Sequence, residues 1–269
     1  MTLEKIKKIV EDLRNLDLSK KPEKEIISLF AKAAEFPVVH SIIYPGRIIV
    51  RGQNYDSSAN YSIPARHSFK PQNTNDTYQR ASLPSQTMFY GAVTAFEEGD
   101  NVPLARHIII TEIAEIVKDK VDKETIVFSS WEVIEELNLI SIIQSEDYKT
   151  PSKIVLDLQE TYKMISQNQP GVEFMNFISS EFSKEDVSKE EDFKYIISAL
   201  YAKMMCDFGF DGVAYPSVRA GGAGMNVAIK PDAVNKKMRL VCAYEVDFER
   251  KGMEVTQVAS REIILLNGE

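Results

Sequence analysis

The segment from Asp211 to Pro231 constrains this chain more than any other. It reads Asp-Gly-Val-Ala-Tyr-Pro-Ser-Val-Arg-Ala-Gly-Gly-Ala-Gly-Met-Asn-Val-Ala-Ile-Lys-Pro. An apolar run reaches Tyr215-Pro216-Ser217, crosses a glycine-rich loop and re-enters an apolar run. Pro216 has no N–H to donate, so it marks a strand end or a bend. Gly221, Gly222 and Gly224 permit backbone conformations and close approaches that side chains block. The pattern predicts strand, loop, strand, with Ser217, Arg219 and Asn226 held at the mouth of a rigid sheet. An ordinary strand connection fits the loop equally well, because glycine-rich loops are common.

The totals narrow the class. A chain of 269 residues suffices for one large domain with elaborations. No apolar run approaches the roughly 20 residues that span a bilayer. The start, Met1-Thr2-Leu3-Glu4-Lys5, is charged and lacks the apolar core of a signal peptide. Cys206 and Cys242 lie in apolar surroundings, as free thiols do in a reducing compartment, so a cytoplasmic address is expected. His40, His67 and His107 show no metal-ligand spacing. A net charge of -8 disfavours broad binding to a nucleic-acid backbone.

Periodicity organises the rest. Ile6, Ile9, Val10 and Leu13 recur at helical spacing, as do Ile26, Ile27, Phe30 and Ala33, predicting two N-terminal helices. Ile48 to Val50 reads as a strand running into Arg51. Residues 52 to 79 are polar and predict a long surface loop. A loop from Arg80 enters a strand around Met88 to Tyr90. A helix follows with Pro103 in its first turn, running to about Lys120. Short β-rich runs occupy 126–128 and 139–143. Phe193, Ile196, Ile197, Leu200 and Met204 form an amphipathic helix ended near Gly209. Strands are expected at 238–246 and 262–266. The prediction is α+β, with helices flanking a mixed or antiparallel sheet. An N-terminal helical extension covers 1–37. The main domain covers 38–269, with an insertion at about 121–190.

The helix after Pro103 carries a carboxylate in the wrong place. Ala105, Ile108, Ile109, Ile113 and Ile116 cluster on one side, and Glu112 falls among them. Glu115 lies near the edge. A carboxylate on an apolar face costs several kcal/mol unless it is paired or lines a wet cleft. One reading pairs Glu112 with a structural arginine; the other places it in an active site, where perturbed groups gather. Arg47, Arg51, Arg80 and Arg219 are the candidate partners. Arginine forks bind pyrophosphate oxygens bidentately, and a carboxylate beside a ribose stabilises the oxocarbenium-like charge of a breaking glycosidic bond.

Three stretches together resemble the RES-domain family, named for an Arg, a Glu and a Ser on separate segments. They are Arg80 to Tyr90 with Gly91, Ala105 to Glu112, and Gly212 to Arg219 with Asn226 to Ile229. The resemblance spans about residues 45 to 245. It implies an ADP-ribosyltransferase-like fold and an enzyme that cleaves the nicotinamide–ribose bond of NAD, as bacterial toxins of toxin–antitoxin pairs do. Water or phosphate is then the acceptor, NAD is the substrate, and no further cofactor or metal is required. Glu112 orients the ribose; Arg80, with Arg51 or in reserve Arg47, holds phosphates or the ribose. Tyr90 lies near nicotinamide, and Ser217 contacts the nicotinamide side. Tyr215, Arg219 and Asn226 complete the substrate-binding set. The implied partners are a helix-turn-helix antitoxin and a second copy of the chain, with no membrane.

The chain departs from the family pattern where Ala-Ser follows Arg80 and in the long span from Glu112 to Ser217. Two other classes stay open. One is an ADP-ribosyltransferase acting on a protein or nucleic acid, with the 52–79 loop as acceptor surface. The other is a non-catalytic module that binds a nucleotide or a partner.

Overall fold

The architecture is that of a computed structural model describing residues 2–33, 36–96, 99–118, 120–143, 148–167, 170–185 and 187–266. Among the described residues, nine strands form one mixed sheet. In chain order they are β1 (Val39–Ile43), β2 (Ile48–Asn54), β3 (Phe89–Val93), β4 (Lys123–Val133), β5 (Leu137–Ser141), β6 (Gly212–Pro216), β7 (Met225–Ile229), β8 (Met238–Lys251) and β9 (Glu254–Glu262). Across the sheet they lie in the order β1-β5-β6-β7-β3-β2-β4-β8-β9. Only β5 and β6 run parallel; the other neighbours are antiparallel.

The helices are α1 (Leu3–Arg14), α2 (Glu23–Ala33), α3 (Val102–Ile113), α4 (Lys153–Ile165), α5 (Gly171–Phe182), α6 (Ile196–Asp207) and α7 (Pro231–Lys237). α1 starts where Thr2 accepts the Lys5 N–H, and it buries Ile6, Ile9, Val10 and Leu13. α2 buries Ile26, Leu29, Phe30 and Ala33. Ile27, expected on that face, is 52% exposed; Leu29 takes its place, three residues on from Ile26. Both helices join the core that also holds Phe174 and Tyr201, with Phe30 edge-on to both rings. The N-terminal helices therefore pack into the main core.

The middle of the chain also differs from expectation. β4 is an internal strand between β2 and β8, and β5 sits between β1 and β6. The expected insertion at 121–190 thus contains two strands of the sheet. What lies outside the sheet is the crossover through α4, α5 and α6, which the parallel β5–β6 pair requires. No described helix is long and apolar enough to cross a membrane.

Two local corrections shape the site. α3 ends at Ile113, with Ala114 extended, well short of Lys120. The Glu124 carboxylate accepts the Glu115 and Ile116 N–H groups just beyond it. Glu115 consequently pairs with Lys118 and Lys120 and takes no part in the apolar face. At the other end of the chain the last strand stops at Glu262, so 263–266 is not a strand.

Candidate active site

The register brings one face of four neighbouring strands together. Tyr215 on β6 lies opposite Asn226 on β7, and Asn226 lies opposite Ala92 on β3. Ala92 in turn faces Val50 on β2. Side chains alternate along a strand, so Tyr90 and Gly52, each two residues on, share that face with Tyr215 and Asn226. The β2–β3 ladder has one register pair, Val50 with Ala92, whereas β2 pairs with β4 along its whole length. Past that pair β2 and β3 part, and Gly52, Tyr90 and Gly91 line the cavity between them.

α3 lies directly on this face. A Cβ on Gly52 would collide with the Ile109 Cγ2, and one on Gly224 would lie 2.5 Å from the Ile108 Cδ1. Glycine at both positions lets the helix sit close enough for its last turn to deliver Glu112 to the sheet. The Glu112 Oε1 accepts the Ser217 Oγ–H at 2.8 Å and an Asn226 Nδ2–H at 2.8 Å. The Arg219 Nε stands 3.9 Å from its Oε2. These partners offset an unfavourable position, since a carboxylate at a helix C-terminus meets the negative end of the helix dipole.

The 217–224 loop is built to hold that arrangement. Gly221 and Gly222 adopt φ of 62° and 84°, a region costly for other residues. The Ser217 Oγ accepts the Ala220 N–H at 3.2 Å while donating to Glu112, so its hydroxyl is fixed in direction. The Thr150 and Ser152 N–H groups bond to the Gly221 and Gly222 carbonyls, bracing the loop from outside.

The cavity has a volume of about 270 Å³. Its walls divide by chemistry. Ile109, Ile113, Gly52 and Gly91 give apolar surface; Glu112 and Asn226 supply an acidic, hydrogen-bonding part; Gln79, Arg80, Tyr195 and Tyr215 complete the lining. Arg80 lies between two rings, 5.5 Å from the Tyr195 centroid and 5.6 Å from that of Tyr215. It donates to the carbonyls of Phe182 and Lys184, the latter at 2.8 Å. The Tyr90 hydroxyl accepts the Ala81 N–H at 3.1 Å and bonds the Ser82 Oγ at 2.8 Å, tying the Arg80 loop to β3. Burial raises the Tyr90 phenol to about 12. Burial likewise pushes Tyr215 upward, so both stay protonated at neutral pH.

Of the residues singled out from sequence, Arg80, Tyr90, Glu112, Tyr215 and Asn226 line one cavity, with Ser217 and Arg219 touching it through Glu112. Ser217 is fully buried behind the carboxylate and does not itself line the cavity. From there its hydroxyl bonds the Glu112 carboxylate. Arg51 adjoins the cavity without lining it. Its guanidinium lies 5.3 Å from the Phe89 centroid and donates to the Tyr90 carbonyl at 2.9 Å, where β3 has parted from β2. Burial lowers it to about 10, so it remains a cation. Arg47 is not brought to the site: it pairs with Asp100 at 3.4 Å, before the start of β2. Gln79, Tyr195 and Gly52 were missed. A glycine inside the β2 pattern was a readable signal of close approach; Tyr195 carried none.

No family model matches the chain, and no curated protein matches it.

Proposed function

We propose that this chain cleaves the bond between nicotinamide and ribose in NAD and passes the ADP-ribosyl group to water or phosphate. The observation that carries the reading is Glu112: a carboxylate with one oxygen held by Ser217 and Asn226, lining a cavity that Arg80 also lines. When the bond between the ribose anomeric carbon and the ring nitrogen breaks, its electron pair goes to the ring, which leaves neutral. Positive charge then develops on the sugar. A fixed anion beside that carbon is worth more in the transition state than in the ground state, because it need not reorganise. The acceptor oxygen attacks the anomeric carbon and loses its proton, giving nicotinamide and ADP-ribose, or ADP-ribose phosphate.

The walls suit the two ends of such a substrate. Ile109 and Ile113 give the cavity an apolar surface against which a flat ring can lie. Arg80, which lines the cavity, and Arg219, beside Glu112, suit the diphosphate. The cavity volume is near the lower limit for small-molecule sites, about 300 Å³, so it fits the nicotinamide riboside half, with the adenylate half beyond the mouth. The proposal extends to the fold: a mixed sheet parting between two central strands, with the carboxylate helix laid across it, fits an ADP-ribosyltransferase-like domain of the RES type. A helix-turn-helix antitoxin would be its natural partner.

The test is NAD loss by the purified protein, with products identified by mass. Release of nicotinamide that disappears in Glu112→Gln supports the reading; Glu112-independent release, or none with or without phosphate, contradicts it.

A further inference from the structure

Arg80 has two obligations that pull on one guanidinium. It faces the cavity, and it also closes the C-terminus of α5. The last carbonyls of a helix have no partners within it, and α5 has no basic residue in its last turn. Arg80, 102 positions away from Phe182, supplies a donor to one of them, Nη1 to the Phe182 carbonyl, and Nη2 bonds the Lys184 carbonyl just past the helix end. A cation at this end of the helix is favourable in its own right.

The end of α5 is joined to the wall that carries Tyr195. The Lys184 Nζ bonds both the Glu181 carboxylate and the Lys194 carbonyl. The Asp192 carboxylate accepts the Tyr78 N–H at 2.9 Å, and the Tyr195 carbonyl accepts the Ser198 hydroxyl at 3.0 Å. Tyr195 then stacks on Arg80. One side chain therefore fastens both the helix end and the aromatic wall, and does so from inside the cavity.

We propose that Arg80 is a latch: an anionic phosphate entering the cavity competes with the Phe182 and Lys184 carbonyls for its N–H groups, so that ligand binding loosens the α5 end and the Tyr195 wall. This rests on the reading of Arg80 as a phosphate-binding group. These contacts of Arg80 tie the Tyr195 wall to the α5 end. Binding at Arg80 and closure of the wall oppose one another, and by linkage each weakens the other.

Amide hydrogen exchange over residues 180–185 and 189–196 tests this in the full chain, using ADP as the probe. In Arg80→Lys the charge is kept, but an ammonium cannot span two carbonyls as the guanidinium fork does. Exchange there should quicken by about tenfold, the weight of one charge-assisted hydrogen bond. Saturating ADP should quicken the same peptides in the parent. Unchanged exchange in Arg80→Lys, slower exchange with ADP bound, or no ADP binding by calorimetry would each overturn the latch. Assaying NAD loss in the same samples separates the two ideas. Exchange as expected without NAD loss leaves the latch standing and removes the proposed reaction; NAD loss with unchanged exchange does the reverse.

Discussion

Ser217 donates to Glu112 across 2.8 Å, although 105 positions separate them in the chain. One residue follows the end of β6, and the other lies in the last turn of α3. Their meeting depends on a sheet that carries the serine outward at Pro216 and on a helix laid close over β2. Asn226 makes the second bond to the same oxygen from β7. A carboxylate gripped on one oxygen by two neutral donors keeps its direction.

The two grips should be separable. Ser217→Ala and Asn226→Ala each remove one donor and leave Glu112 less well held. A lost bond to a charged group weighs about 1.5–3 kcal/mol, so each variant should lose roughly 10- to 100-fold in kcat with a smaller change in KM. Because both bonds act on one atom, the double variant should lose less than the product of the single losses. Steady-state kinetics of the three variants checks this; independent, multiplicative losses would mean that the bonds do not act through one carboxylate.

Close approach of α3 gives a second expectation. Gly52→Ala places a methyl against the Ile109 Cγ2, part of a β-branched side chain that cannot swing aside. Overpacking of this kind costs about 1–3 kcal/mol. Urea denaturation should show that loss, and kcat should fall with it, because the helix that moves carries Glu112. A variant as stable and as active as the parent would place α3 farther from the sheet than the structure does.

The glycine loop, the apolar-face carboxylate and the strand on either side of Tyr90 were all legible in the sequence, because each is a local pattern: φ-permissive residues, a helical period and an apolar run. What was not legible depends on register. Nothing in the order of residues shows that Asn226 lies beside Glu112, that Ser217 sits behind it, or that Tyr195 reaches the cavity from beyond α5. The polar character of 144–192 suggested an insertion, yet α5 buries Phe174, Met175, Phe177 and Ile178 in the core. The short run expected at 126–128 is part of the longer strand β4, Lys123–Val133. Ser129 and Ser130 are in fact buried between neighbouring strands.

Stability should depend on pH through His67. The ring is fully buried, its Nε2 lies 2.7 Å from the Tyr61 carbonyl, and its Nδ1 has no hydrogen-bond partner among the described residues. Burial, and then the charges of Arg51 and Arg66, hold its pKa below 6.5, against the raising effect of the Tyr61 carbonyl. The unfolded chain, with an ordinary imidazole near 6.5, therefore binds the proton first as pH falls. The stability from a neutral His67 is complete above about 6.5 and is lost progressively below it. Urea denaturation from pH 7.5 to 5 should show falling stability in the parent and a shallower slope in His67→Gln. Parallel slopes would remove His67 as the cause.

The most direct test of the central claim is the rate of nicotinamide release from NAD by the parent and by Glu112→Gln, with melting temperatures measured on the same samples. The glutamine keeps the size of the side chain and loses the charge, so the account predicts a fall in kcat of at least about 100-fold with the fold intact. A Glu112→Gln protein that releases nicotinamide as fast as the parent would show that this carboxylate is an ordinary structural partner of Ser217, Asn226 and Arg219.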